Sequence, residues 1–201
     1  MAMTVFPLHI IGMAGSLREG SYNRSLLSAA QRLTPEDLTI EVFPLDDIPL
    51  YNGDLENDAD RPAEVKRLKR SLAQADGLLI ATPEYNHGIP GVLKNAIDWA
   101  SRPAFKSPLV GKPVGMMGAA PSIIGTARAQ QHLKVVMLSM LAEVMPHRGV
   151  VVGNAKDKFD EEGHLIDEAT QQFLWSYLQD WASWIRRISQ KKALVTSAET
   201  S

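Results

Sequence analysis

The sequence predicts an α/β fold, a doubly wound sheet of five parallel strands with helices on both faces. Short apolar runs alternate with helical patterns along the chain, which implies right-handed crossovers onto a parallel sheet. At 201 residues and 45% hydrophobic content the chain suits one core, and it carries no internal repeat or low-complexity segment.

The elements follow in order. Leu8 to Met13 is an apolar strand run closed by Gly15-Ser16, and Asn23 to Leu33 places Leu26, Leu27, Ala30 and Leu33 at helical spacing. Thr39 to Phe43 alternates as a second strand, followed by a long acidic loop from Leu45 to Pro62 containing Asn52-Gly53. Loops of this length are often functional. Pro62 opens a charged helix to about Ala75, Gly77 to Thr82 is a third strand, and Gly91 to Ser101 a third helix. Lys112 to Ala119 reads as strand four, Gly125 to Ala142 as a helix, Val150 to Val152 as a short fifth strand, and Asp167 to Ile188 as the last helix. Residues 1–190 read as one domain, and 191–201 as a flexible tail.

Composition excludes several classes of function. A net charge of -2 offers no basic field for nucleic acid or anionic lipid, so the expected partners are small molecules and further copies of the chain. With no cysteine, there is no disulfide, thiolate metal site or cysteine nucleophile, and any redox chemistry must come from a cofactor. The five histidines show no metal-binding spacing, and no serine sits in G-x-S-x-G. No basic segment precedes a long apolar stretch at the N-terminus and no run is long enough to span a membrane, so the expected location is cytoplasmic.

With strand order 2-1-3-4-5, a ligand is expected outside the carboxyl ends of strands one and three, where the order reverses. The loops at those ends are the two most unusual in composition. Gly15 to Asn23 combines hydroxyls, an amide, glycines and Arg18 and runs into a helix N-terminus, which suits a phosphate. Ser21 or Asn23 serves equally well as a plain helix cap. Neither a P-loop nor a G-x-G-x-x-G is present, which favours a mononucleotide. The loop after strand three sets Glu84-Tyr85-Asn86 between Pro83 and Pro90, with Gly88 and Gly91 leaving room for a flat ring. Composition alone also admits a rigid turn with a surface tyrosine.

The stretch Thr82 to Trp99, with Thr-Pro-Glu-Tyr-Asn-His-Gly-Ile-Pro-Gly and Leu-Lys-Asn-Ala-Ile-Asp-Trp, resembles the signature of the NAD(P)H-dependent FMN reductase family, particularly its chromate and quinone reductase branch. Gly15 to Asn23 resembles that family's phosphate loop, and the likeness in strand pattern runs from about Leu8 to Ile188. The resemblance implies a flavodoxin-like fold, non-covalent FMN, and NAD(P)H as co-substrate. It implies that Ser16, Arg18, Ser21 and Asn23 hold the phosphate and that Pro83, Glu84, Tyr85 and Asn86 line the isoalloxazine. The implied reaction passes hydride through flavin N5, in a ping-pong sequence, to quinones or similar small acceptors, with chromate, azo compounds and free flavin in the same range. No catalytic side chain is demanded, because the cofactor carries the electron chemistry.

Strand four ends in Gly118-Ala119-Ala120-Pro121-Ser122, where Gly-Ala-Ser-Pro-Gly is common in the family, which restricts the expected contact there to backbone near Gly118. Gln131 also stands where an aromatic residue is common. Leu133 to Met145 is more apolar than a one-sided helix needs, which core packing explains in part and a homodimer or homotetramer face explains for the rest. Trp175, Trp181 and Trp184 read as core residues of the last helix, and His87, in the ring loop, as a solvent-facing residue with substrate contact as the alternative. The alternative functions are a non-enzymatic electron carrier or redox-sensing flavoprotein of the same fold, and a flavin-free interaction module. Carriers that dock protein partners electrostatically are usually far more acidic than -2.

Overall fold

A computed structural model describes residues 7–147 and 149–199, with side chains given through Gln190. The order is β1 (Leu8–Ala14), α1 (Tyr22–Arg32), β2 (Leu38–Val42), α2 (Ala63–Gln74), β3 (Gly77–Ala81), α3 (Gly91–Ala100), β4 (Pro113–Ala119), α4 (Ala127–Ser139), β5 (Glu143–Val144), β6 (Val150–Val152) and α5 (Glu168–Glu199). All paired strands are parallel, in the order β2-β1-β3-β4-β5, and β6 also pairs with β4. The expected order therefore stands, with its fifth position shared by two short strands.

Alternation along each strand sends successive side chains to opposite faces. Ile10, Leu79 and Met117 join α1 and α5 in one core, whereas Ile11, Leu78, Ile80 and Met116 join α2, α3 and α4 in the other. Trp181 fills the first core and Trp99 the second, while Trp184 is partly buried and Trp175 is exposed. The indole of Trp99 also donates to Pro49 O at 2.8 Å, and Asn95 accepts from Tyr51 N at 2.8 Å, which pins the long acidic loop onto α3. The backbone of α5 is helical through Glu199, and the packing of side chains in 191–201 lies outside the described residues.

The fifth position divides because α4 stops early. Leu141 adopts φ 59°, a left-handed conformation that ends the helix three residues before Val144. Val114 pairs with Val144 and Met117 with Val150, so Met116 falls in the gap between β5 and β6. The buried hydroxyl of Tyr177 fills that gap by accepting from Met116 N at 2.8 Å. Replacing it, Tyr177→Phe, leaves a buried N–H unpaired and is expected to cost about 1–3 kcal/mol in chemical denaturation. Burial holds the Tyr177 hydroxyl well above its ordinary value of 10.0. A group raised on folding gives stability that is full below its unfolded value and falls as pH rises past it. Wild-type stability should therefore decline above pH 10, and Tyr177→Phe should flatten that decline.

Candidate functional site

The loops leaving β1 and β3 lie side by side. Gly15 N donates to Ala81 O at 2.9 Å, and a Cβ added to Gly15 would stand 3.0–3.2 Å from Pro90, Leu93 and Pro83. Beyond that close approach, the Ser16 hydroxyl lies 3.4 Å from the Tyr85 hydroxyl. The residues expected at the two ends of one ligand thus share a wall. A cleft of about 380 Å³ opens on the far side of Ser16 and Leu17, between α1 and the segment leaving β2.

In the first loop, Ser21 caps α1, its hydroxyl accepting from Asn23 N at 3.3 Å and Arg24 N at 3.4 Å. Ser16 and Ser21 are buried, whereas Arg18 is exposed and makes no ion pair among the described residues. The first turn of α1 holds no acidic residue, so its positive dipole end is left to attract an anion. Asn23 does something that neither a cap nor a phosphate contact describes. Its buried amide donates to Ala119 O and accepts from Ala119 N, both at 2.9 Å, and so ties the start of α1 to the end of β4.

The second loop closes on itself. Tyr85 and Gly88 exchange backbone hydrogen bonds of 3.1 and 3.0 Å, and the central residues Asn86 and His87 have φ 51° and 65°. That is the left-handed hairpin turn for which Asn-Gly is favoured, here with histidine in the glycine position. Tyr85 stands on its edge, 48% exposed. Glu84 reaches across to α4, where one carboxylate oxygen accepts from both Arg128 N and Ala129 N at 3.0 Å. Pro83 is buried against Gly15, and α3 begins at Gly91 with neither a side-chain cap nor an acidic residue in its first turn.

The third wall is the end of β4. A Cβ on Gly118 would lie 2.2 Å from Thr126 Oγ1 and 2.3 Å from Thr82 O, so this glycine permits the close approach of β3, β4 and the turn into α4. Ala120, which has no hydroxyl to offer a ligand, is joined through its backbone to Val152 and Ala155. Sequence reading overlooked Arg128, although a cation in the first turn of a helix opposes the dipole and signals a carboxylate nearby. Glu84 is that carboxylate, with one oxygen 4.0 Å from Arg128 Nη1.

The donors fit FMN. The α1 N-terminus, with no acidic residue in its first turn, and Arg18, with no ion pair among the described residues, suit a dianionic phosphate, while the equally open α3 N-terminus and a half-exposed tyrosine beside a glycine-bearing turn suit a flat ring. Comparison with known proteins agrees: the family described as NADPH-dependent FMN reductase matches residues 8–157. The chain belongs to that family. It is therefore an oxidoreductase that works with FMN and NAD(P)H. An NAD(P)H-dependent FMN reductase of Pseudomonas aeruginosa is 41% identical over 181 residues, covering 90% of this chain and 97% of that protein. A 2-hydroxy-1,4-benzoquinone reductase from a Burkholderia species is 38% identical, covering 89% and 97%. A quinone reductase of Escherichia coli is 37% identical, covering 90% and 97%. Among solved structures, the flavoenzyme NAD(P)H:(acceptor) oxidoreductase FerB from Paracoccus denitrificans superposes with a TM-score of 0.82 at 36% identity, covering 90% of this chain and 98% of that one. The FMN reductase has the flavodoxin-like fold. No helix among its described residues is long and apolar enough to cross a membrane.

Proposed function

We propose that this FMN reductase passes electrons from NAD(P)H to quinones, with donor and acceptor occupying one place in turn. The observation that carries the reading is the 3.4 Å contact between Ser16 and Tyr85, which joins a phosphate-type loop to a ring-type loop at the reversal of strand order. FMN held there would supply the two-electron chemistry between a reduced nicotinamide and an acceptor.

The chain's own residues bind, orient and hold shape. Ser16, Arg18 and Ser21, with the α1 N-terminus, take the phosphate, and Asn23 fixes that N-terminus against β4 through Ala119. Pro83, Tyr85 and Asn86 line the ring, and Glu84 holds their turn against α4. Backbone at Gly118 forms the floor. The open α3 N-terminus favours negative charge at the ring's edge when electrons arrive. Positioning and electrostatics of this kind require no side-chain acid or nucleophile.

Quinones are the acceptors best supported, because two of the relatives above carry that activity in their names. The exposed Val135 and Leu138 on α4 support self-association as a dimer or tetramer, and dependence on a reduced nicotinamide fits the cytoplasm. Purified protein should be yellow, should bleach anaerobically with NADH or NADPH before acceptor is added, and should recolour on adding a quinone. Initial rates should give parallel double-reciprocal lines. A protein that stays colourless with added FMN, or that holds reduced flavin without quinone turnover, contradicts the reading.

A further inference from the structure

We infer that Arg128, aided by His87, sets acceptor specificity by binding an ionised oxygen on the acceptor, so that the site prefers acidic quinones over neutral quinones of the same ring. The inference rests on the proposed reading of the Tyr85 turn as the edge of the flavin site.

Arg128 Nη1 lies 2.8 Å from His87 Nδ1. A guanidinium only donates, so in this contact Nδ1 is the acceptor and Nε2 is the ring donor. Beneath the pair sits Glu84, whose carboxylate is only 10% exposed, with one oxygen 3.6 Å from His87 Nδ1 and 4.0 Å from Arg128 Nη1. Its other oxygen is taken by the two N–H groups of α4. The carboxylate thus pairs with Arg128 on its Nη1 side and leaves Nε and Nη2 as donors. Arg128 Nε and Nη2 have no partner among the described residues, and the side chain is 52% exposed. Together with His87 Nε2–H, they form a fork and a single donor on the rim that Tyr85 shares. His132 Nδ1 lies near Gly88 and adds no negative charge.

Two features argue that this rim is more than a solvated surface. His87 holds a left-handed backbone, φ 65°, at the turn position where glycine is favoured, so its side chain is kept at a conformational cost. Arg128 likewise stands in the first turn of α4, where a cation opposes the helix dipole. What the two unfavourable placements jointly create is a planar donor set suited to a carboxylate-like or phenolate-like oxygen pair, such as an ionised hydroxyl and its neighbouring carbonyl on a quinone.

The test uses the holoenzyme with NADH as donor, comparing 2-hydroxy-1,4-naphthoquinone with 1,4-naphthoquinone at a pH where the former is ionised. The readout is the ratio of their kcat/KM values, which cancels effects common to both acceptors. In Arg128→Gln this ratio should fall about tenfold or more, through KM for the hydroxylated quinone. Arg128→Lys should recover part of it, as a charge without the fork. His87→Gly should lower it less while keeping the turn, since glycine accepts the same φ. A ratio within about twofold of wild type in Arg128→Gln overturns the inference. So does a change confined to the KM for NADH, or a loss of both activities alike with an altered oligomeric state. If wild type turns over neither quinone, the functional reading itself falls, and this inference falls with it.

Discussion

Gly118→Ala is expected to destabilise the protein by about 3 kcal/mol and lower Tm by about 6–12 °C, with weakened FMN retention. The added methyl would lie 2.3 Å from Thr82 O and 2.2 Å from Thr126 Oγ1. Neither atom can yield cheaply. Thr82 is fully buried and its N–H is bonded to Met117 O at 2.9 Å, so moving its carbonyl parts β3 from β4. Thr126 is also buried and accepts from Gln130 at 3.0 Å. Because the same approach sets the distance between the turn at Tyr85 and the start of α4, strain there reaches the proposed flavin wall. Gly20→Ala is the control, since nothing lies within 4 Å of a Cβ at that position and its effect should stay within about 0.5 kcal/mol. Thermal melts of both variants, with the visible spectrum after gel filtration, check the expectation. A Gly118→Ala protein as stable as wild type would contradict it.

Asn23→Ala should be nearly as damaging, at about 2–5 kcal/mol. Its amide satisfies both backbone groups of Ala119 from within a buried contact, and alanine leaves the two unpaired. Asn23→Asp separates the two bonds. The carboxylate still accepts from Ala119 N but turns an acceptor on Ala119 O, so this variant should be less stable at neutral pH than in acid, where protonation restores a donor. Denaturant titrations at two pH values measure both effects. If Asn23→Ala matched wild type in stability, Asn23 would not be the tie between α1 and β4.

Much of this was legible from sequence because local pattern and fold coincide. Leu8 to Met13 and Gly77 to Thr82 read as apolar runs, and a chain of alternating runs and helices admits few sheet orders. Ser21 before a helical pattern suits a cap and a phosphate contact equally, and in the fold it caps α1. The divided fifth position was hidden, because Glu143–Val144 is too short to carry a period and the Tyr177 hydroxyl that bridges the gap is 61 residues from Met116. For Asn23 the choice between cap and phosphate ligand could not show that its amide reaches a backbone 96 residues away. Glu84 sat in the right loop, but composition does not reveal that the first turn of α4 engages its carboxylate.

If the loops leaving β1 and β3 grip the two ends of one FMN, the side chains they expose must set its affinity. Titration of apoprotein with FMN, for wild type and for Arg18→Gln/Tyr85→Ala, tests it most directly. Both side chains are exposed at the surface, so the apoprotein Tm should hold, while Kd should rise about 100-fold from the loss of one charge-assisted contact and one ring contact. A Kd within about twofold of wild type would place the flavin elsewhere and contradict the account.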